Sequence, residues 1–120
     1  MSRPSNTDIL EQITGLTYGI GPSGYSAALA LGLSTQVPRD ETFALPIRTP
    51  TGLPDGMKVV SRAARRGRLD AKLRPQEVAW LEIAGSWRDH LEDPAEAERR
   101  FRAAIKSEAI RPDRLAAATP

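Results

Sequence analysis

Thr42-Phe43-Ala44-Leu45-Pro46-Ile47 and, beyond a connection punctuated by Pro50, Gly52, Pro54 and Gly56, Met57-Lys58-Val59-Val60-Ser61-Arg62 are the stretches that decide the fold class. In the first, Phe43, Leu45 and Ile47 recur with period 2, so they share one side of an extended chain, the mark of a half-buried strand. Pro46 has no amide hydrogen for a ladder, so it ends that strand early or confines it to an edge. The second stretch reads as another strand. The expected arrangement is an antiparallel pair joined across the long connection.

Working outward from these strands, the apolar period changes to that of helices. Upstream, Asn6 or Thr7 can cap a short helix to Thr14, with Ile9, Leu10 and Ile13 on one face and Asp8 and Glu11 in the first turn, where the helix dipole favours acids. Glycines at 15, 19, 21 and 24, with Pro22, then break the chain, and Leu16-Thr17-Tyr18 is at best a short extended piece. Ser23 can open an Ala- and Leu-rich helix from Gly24 to Leu31, with Gly32 as its C-terminal cap residue. Downstream, Pro75 suits a first helical position. Val78, Trp80, Leu81, Ile83, Ala84, Trp87 and Leu91 give the helix that follows a wide apolar face.

Asp93-Pro94-Ala95-Glu96 is a helix start, with Asp93 as cap and Glu96 placed to reach back as in a capping box. That helix runs to about Glu108 and buries Ala97, Phe101, Ala104 and Ile105; Pro112 permits a last short one from Asp113 to Ala118, which is expected to fray. The sum is an α+β fold, a small antiparallel β-sheet packed by helices with a C-terminal helical segment. One domain is expected over residues 1–120, with 1–72 forming its α+β part and 73–120 its helical part.

Composition narrows the function. The 120 residues include six aromatics and no Cys, so the core is built mainly of Ala, Leu, Ile and Val, and disulfide or thiolate chemistry is excluded. No apolar run approaches the roughly 18 residues of a membrane span. With a polar N-terminal stretch, the expected location is cytoplasmic, without a membrane partner. The net charge of +2 hides a block pattern in the second half. Arg62–Arg74 holds six basic residues and one acid, Pro75–Glu98 one basic and seven acids, and Arg99–Arg114 six basics and two acids. Such blocks either pair with one another inside the fold or present a basic face to an anionic partner.

Candidate chemistry is sparse. Gly19-Ile20-Gly21-Pro22-Ser23-Gly24 has the G-x-G-x-x-G spacing and leads into a helix, but a dinucleotide fold needs a buried strand before the glycines and βαβ order after them. A glycine-rich turn is the simpler reading. Tyr25 stands where a nucleophile elbow needs its second glycine, and His90 is the single histidine, so neither a catalytic triad nor a metal set is expected. Trp80 and Trp87 fall on the apolar stripe and are assigned to the core. Arg62, Arg65, Arg66 and Arg68 are the feature with binding character, four guanidiniums in seven residues that could each sit on a phosphate. No aromatic is interleaved with them, which argues against stacking on single strands.

The run Pro22-Ser23-Gly24-Tyr25-Ser26-Ala27-Ala28-Leu29-Ala30-Leu31-Gly32-Leu33-Ser34-Thr35-Gln36-Val37-Pro38 resembles a segment of the AbiEi-like type IV antitoxins and transcriptional regulators. There a small-residue helix ends in Leu-Gly-Leu and passes through Ser-Thr-Gln-Val-Pro into a strand. The residues that carry the likeness are Ser23, Gly24, Gly32, Leu33, Ser34, Thr35, Gln36, Val37 and Pro38. In that family a winged-helix head usually precedes the segment, so the resemblance is to the part that follows the head. It implies a non-enzymatic antitoxin or regulatory domain of an abortive-infection system, without cofactor, whose partners would be operator DNA or a toxin-linked protein. The residues alone also allow a protein-interaction module without DNA binding, and, less simply, a small nucleotide-binding protein.

Overall fold

A computed structural model describes residues 5–65, 67–85 and 91–118. Helix α1 (Asn6–Thr14) is opened by Ser5, one residue before the expected cap positions. Its hydroxyl accepts from the Asp8 amide and the Asp8 carboxylate accepts from the Ser5 amide, both at 3.2 Å, a reciprocal capping box. Gly15, at φ 72°, closes the helix in the left-handed region.

Three short strands, β1 (Gly21–Pro22), β2 (Glu41–Leu45) and β3 (Met57–Ser61), form a sheet in that order. β1 runs antiparallel to β2, with Gly21 opposite Ala44. β2 runs parallel to β3, with Glu41 opposite Met57 and Leu45 opposite Ser61. The α+β class therefore stands, but the expected antiparallel pairing of the two strands that decided it is corrected to parallel, in a mixed sheet. The connection 46–56 is the cause. It is long enough to carry the chain back along β2, and the Glu41 amide donates to the Gly56 carbonyl at 3.1 Å, so β3 starts beside the start of β2.

Pro46 ends β2 as expected, yet β2 is the central strand and is buried on both faces. Phe43 and Leu45 pack with Leu10, Ile20 and Met57, while Ala44 packs with Leu73, Val78 and Ala118.

Helix α2 (Gly24–Ala30) stops in a Schellman turn: the Leu33 amide donates to Ala28 at 2.8 Å and the Gly32 amide to Leu29 at 3.1 Å, with Gly32 at φ 73°. The Leu-Gly-Leu of the family-like run is thus a helix stop whose second leucine returns to the core. A four-residue helix that the sequence reading did not foresee, α3 (Gly67–Asp70), lies within the arginine-rich segment.

Helix α4 (Pro75–Gly85) begins at the expected proline and is the axis of the fold. Its Val78 meets the sheet side, and Ala79, Trp80 and Ile83 join Ala27 and Ala28 of α2 with Ala97, Ala104, Ile110 and Leu115. Trp80 is in the core, edge-on to Phe101 at 5.2 Å between ring centroids; Trp87 lies outside the described residues. A side chain at Gly21 would be impossible here, since a Cβ would lie 2.5 Å from the Pro75 carbonyl oxygen and 2.6 Å from Val78 Cβ.

Helix α5 (Pro94–Lys106) is capped by Asp93, whose carboxylate accepts from the amides of Ala95 and Glu96 at 3.0 and 3.3 Å. Glu96 does not complete the expected capping box, because its carboxylate is taken by Arg99 and Arg100. Helix α6 (Pro112–Ala118) docks through Leu115 and Ala118. Among the described residues no helix is long and apolar enough to cross a membrane.

Candidate functional site

Two carboxylates on α4 organise the charges around it. Glu77, with no exposed surface, is the third residue of the helix and accepts from the Arg74 amide at 2.8 Å. The amide of Arg111 donates to it at 2.8 Å, and the Arg111 guanidinium grips it through Nε at 3.1 Å and Nη2 at 2.7 Å. The same Nη2 donates to the Lys72 carbonyl at 2.9 Å. Burial alone would push the Glu77 carboxyl up; the Arg111 fork and the two amides outweigh it and hold the group below its ordinary range.

Glu82, 6% exposed, is held differently. Ser23 Oγ donates to it at 2.7 Å, Arg62 donates through Nε at 3.2 Å to both oxygens and through Nη2 at 2.8 Å, and Arg68 Nη1 donates at 2.5 Å. Here too burial pushes upward, but the bonds from Arg62, Ser23 and Arg68 bring the carboxyl down to about 2. The Arg62 guanidinium is raised above its ordinary value, first by its hydrogen bond to Glu82.

The chain brings these groups together for local reasons. Ser23 follows β1 and donates its amide to Thr42 at 2.8 Å, which fixes it beside the sheet. Arg62 directly follows β3, its amide bonded to Leu45 at 2.6 Å, and a turn from Arg62 to Arg65 leads into α3, which carries Arg68 inward to 7% exposure.

Around Glu82 lies a cleft of about 510 Å³ whose walls include Ser23, Arg62, Arg65, Arg68, Leu81 and Ala118. Of the four arginines expected to meet phosphate, three line this one cleft. Arg65 is exposed, Arg62 is half-buried, and Arg68 is a buried partner of Glu82 rather than a surface contact. Arg66 lies outside the described residues. The charge blocks do pair inside the fold, but through the particular carboxylates Glu77 and Glu82, which no spacing singled out.

The family-like run is divided between two places. Ser23 and Gly24 border the arginine cleft, whereas Val37 and Pro38 border an apolar groove of about 570 Å³ with Leu29, Leu31 and Phe43. Ser34 and Thr35 bond the Glu92 carboxylate, Ser34 Oγ at 3.1 Å and the Thr35 amide at 3.3 Å, and Gln36 donates its amide to Ser34 Oγ at 3.1 Å. Helix stop, loop anchoring and groove wall together account for the run.

The glycine spacing from Gly19 to Gly24 is occupied by packing: Gly19 at φ 84° faces Pro46 and Leu69, and Gly21 is pressed on α4. His90 lies outside the described residues, and among those described no group of His, Asp and Glu is placed to hold a metal ion. Comparison of the chain with protein-family models, with curated proteins and with solved structures gives no match.

Proposed function

We propose that this chain is a non-enzymatic regulatory domain of the antitoxin type, acting by binding an anionic partner, with operator DNA the first candidate. The observation that carries the reading is the gathering of Arg62, Arg65 and Arg68 on one cleft, with Arg65 exposed and without an ion pair among the described residues. The resemblance of the 22–38 run to AbiEi-like antitoxins supplies the biological setting. Binding rather than catalysis is favoured because the carboxylate of the cleft, Glu82, is held ionised by three donors down to about pH 2, which makes it a poor proton carrier at neutral pH.

The test is fluorescence anisotropy of the full chain on its own upstream duplex and on a scrambled duplex, at two salt concentrations. Tighter binding to the native duplex is expected, with Arg65→Ala lowering the salt dependence by about one counterion. Equal binding to both duplexes that vanishes with salt would overturn operator recognition, and rescue of cell growth on co-expression with the neighbouring toxin would then decide the antitoxin part.

A second reading, a protein-interaction module, is favoured by the groove beside α2, where Val37 is 78% exposed and Leu29 is exposed as well. An equimolar complex with a partner protein that survives Arg65→Ala and is broken by Val37→Asp would establish it.

A further inference from the structure

The cleft around Glu82 holds more positive charge than the fold requires. One half-buried guanidinium suffices to neutralise one carboxylate, as Arg111 does for Glu77. Glu82 has two, and Arg65 stands at the same cleft, so the described walls carry three guanidiniums against one carboxylate, a net charge of +2.

The donors are unevenly used. Arg62 employs Nε and Nη2, and Arg68 employs Nη1 alone. Among the described residues Arg68 Nε and Nη2 meet no acceptor. Arg68, 7% exposed, lines the cleft, and a buried guanidinium with donors to spare is stabilised by an anionic acceptor placed there. Leu81, Ala84 and Ala118 give the same cleft an apolar wall, and its volume of about 510 Å³ is that of a site for a small organic molecule rather than for an ion alone.

We infer that this cleft is a receptor for a phosphate monoester, its dianionic head on Arg62, Arg65 and Arg68 and its organic part against Leu81, Ala84 and Ala118. A phosphate monoester carries about −1.5 to −2 at neutral pH and three acceptor oxygens, which match the excess charge and the unused donors; a backbone phosphodiester carries half that charge. Ser23 and Glu82 form the floor that holds two of the three guanidiniums in place. The inference does not depend on DNA recognition: the duplex titration above can fail while a small monoester binds, and the reverse.

Phenyl phosphate, inorganic phosphate and benzenesulfonate are the probes, titrated into the full chain by calorimetry at pH 7.5 in physiological salt. Phenyl phosphate is expected to bind about tenfold tighter than either of the others, since only it offers both the dianion and an apolar group. Arg65→Ala is expected to weaken it about tenfold with no change in melting temperature, because the Arg65 side chain is exposed and forms no ion pair among the described residues, whereas Arg102→Ala, on the outer face of α5, leaves it unchanged. Similar affinities for all three probes, or equal losses in the two variants, would overturn the inference. Equal binding of inorganic and phenyl phosphate through Arg65 would overturn it in favour of a site for free phosphate.

Discussion

Glu77 and Glu82 sit on one helix, both buried, both ionised and both facing arginine, yet they do different things. Glu77 is closed by backbone: two of its donors are the amides of Arg74 and Arg111, which cannot move without unwinding the starts of α4 and α6. Glu82 is held by the side chains of Ser23, Arg62 and Arg68, and it opens on a cleft. A carboxylate bound to amides is a joint. One bound to side chains with donors to spare is a place where another anion can compete or join.

The sharpest way to break the comparison is Glu77→Ala. Removing a fully buried carboxylate strands the Arg111 fork and two amides, and the loss is expected to be about 3–5 kcal/mol in urea unfolding, unchanged by added phosphate. Acid is the next lever. The Glu82 carboxyl titrates in the fold at about 2, below its ordinary value, so the stability it contributes is complete above about pH 4.5 and is lost as the pH falls toward 2. The expected loss across that window is about 3 kcal/mol, and a Glu82→Gln variant should show a shallower fall of melting temperature with acid than the wild type.

At neutral pH Glu82→Gln itself is expected to cost about 3 kcal/mol, at the lower end of the loss at Glu77 because Arg62 can turn to solvent while Arg68 stays buried. Phenyl phosphate should raise the melting temperature of this variant more than that of the wild type. No such rescue at Glu82 would make the two carboxylates alike and reduce the cleft to a second joint.

The smallest effect concerns the turns around the Glu77 joint. Lys72, at φ 55°, and Glu108, at φ 64°, close α3 and α5 in the left-handed region with the same paired amide bonds that Gly32 makes after α2. Their carbonyls accept from Arg111 and Arg74 respectively, and among the described residues neither side chain is bonded. Glu108→Gly therefore keeps every hydrogen bond and should stabilise the protein by about 0.5–1 kcal/mol in the same urea assay.

Most helices were legible because their starts and stops are written in local chemistry: Asp93 with Pro94, Pro75, Gly15 and Gly32; the α1 cap was expected at Asn6 or Thr7 instead of Ser5, and α3 was missed. Pairing direction was not, since period 2 says which residues share a side of β2, both of whose faces prove buried, and nothing of whether the next strand runs with it or against it. β1 escaped notice because a two-residue strand of Gly and Pro has no periodicity at all. The arginine run was visible as charge, but which arginines face solvent depends on Glu82, and Glu82 looked like one acid in an acidic block. A signal was present: α4 is apolar on so many sides that its carboxylates had to be enclosed and so had to find arginines. The partners themselves lie 14 to 59 residues away and belong to the tertiary fold.

That separation bears on how the molecule is made. Ser23 reaches Glu82 across 59 residues, and β1 rests on Pro75 and Val78. On the ribosome, where chains grow at roughly 5–20 residues per second, the segment holding β1, α2 and the sheet has α1 but lacks α4 for several seconds. Through that interval Ala44, Ala27 and Ala28, the residues that α4 covers, are exposed apolar surface, and a chaperone or a waiting partner meets them before α4 does.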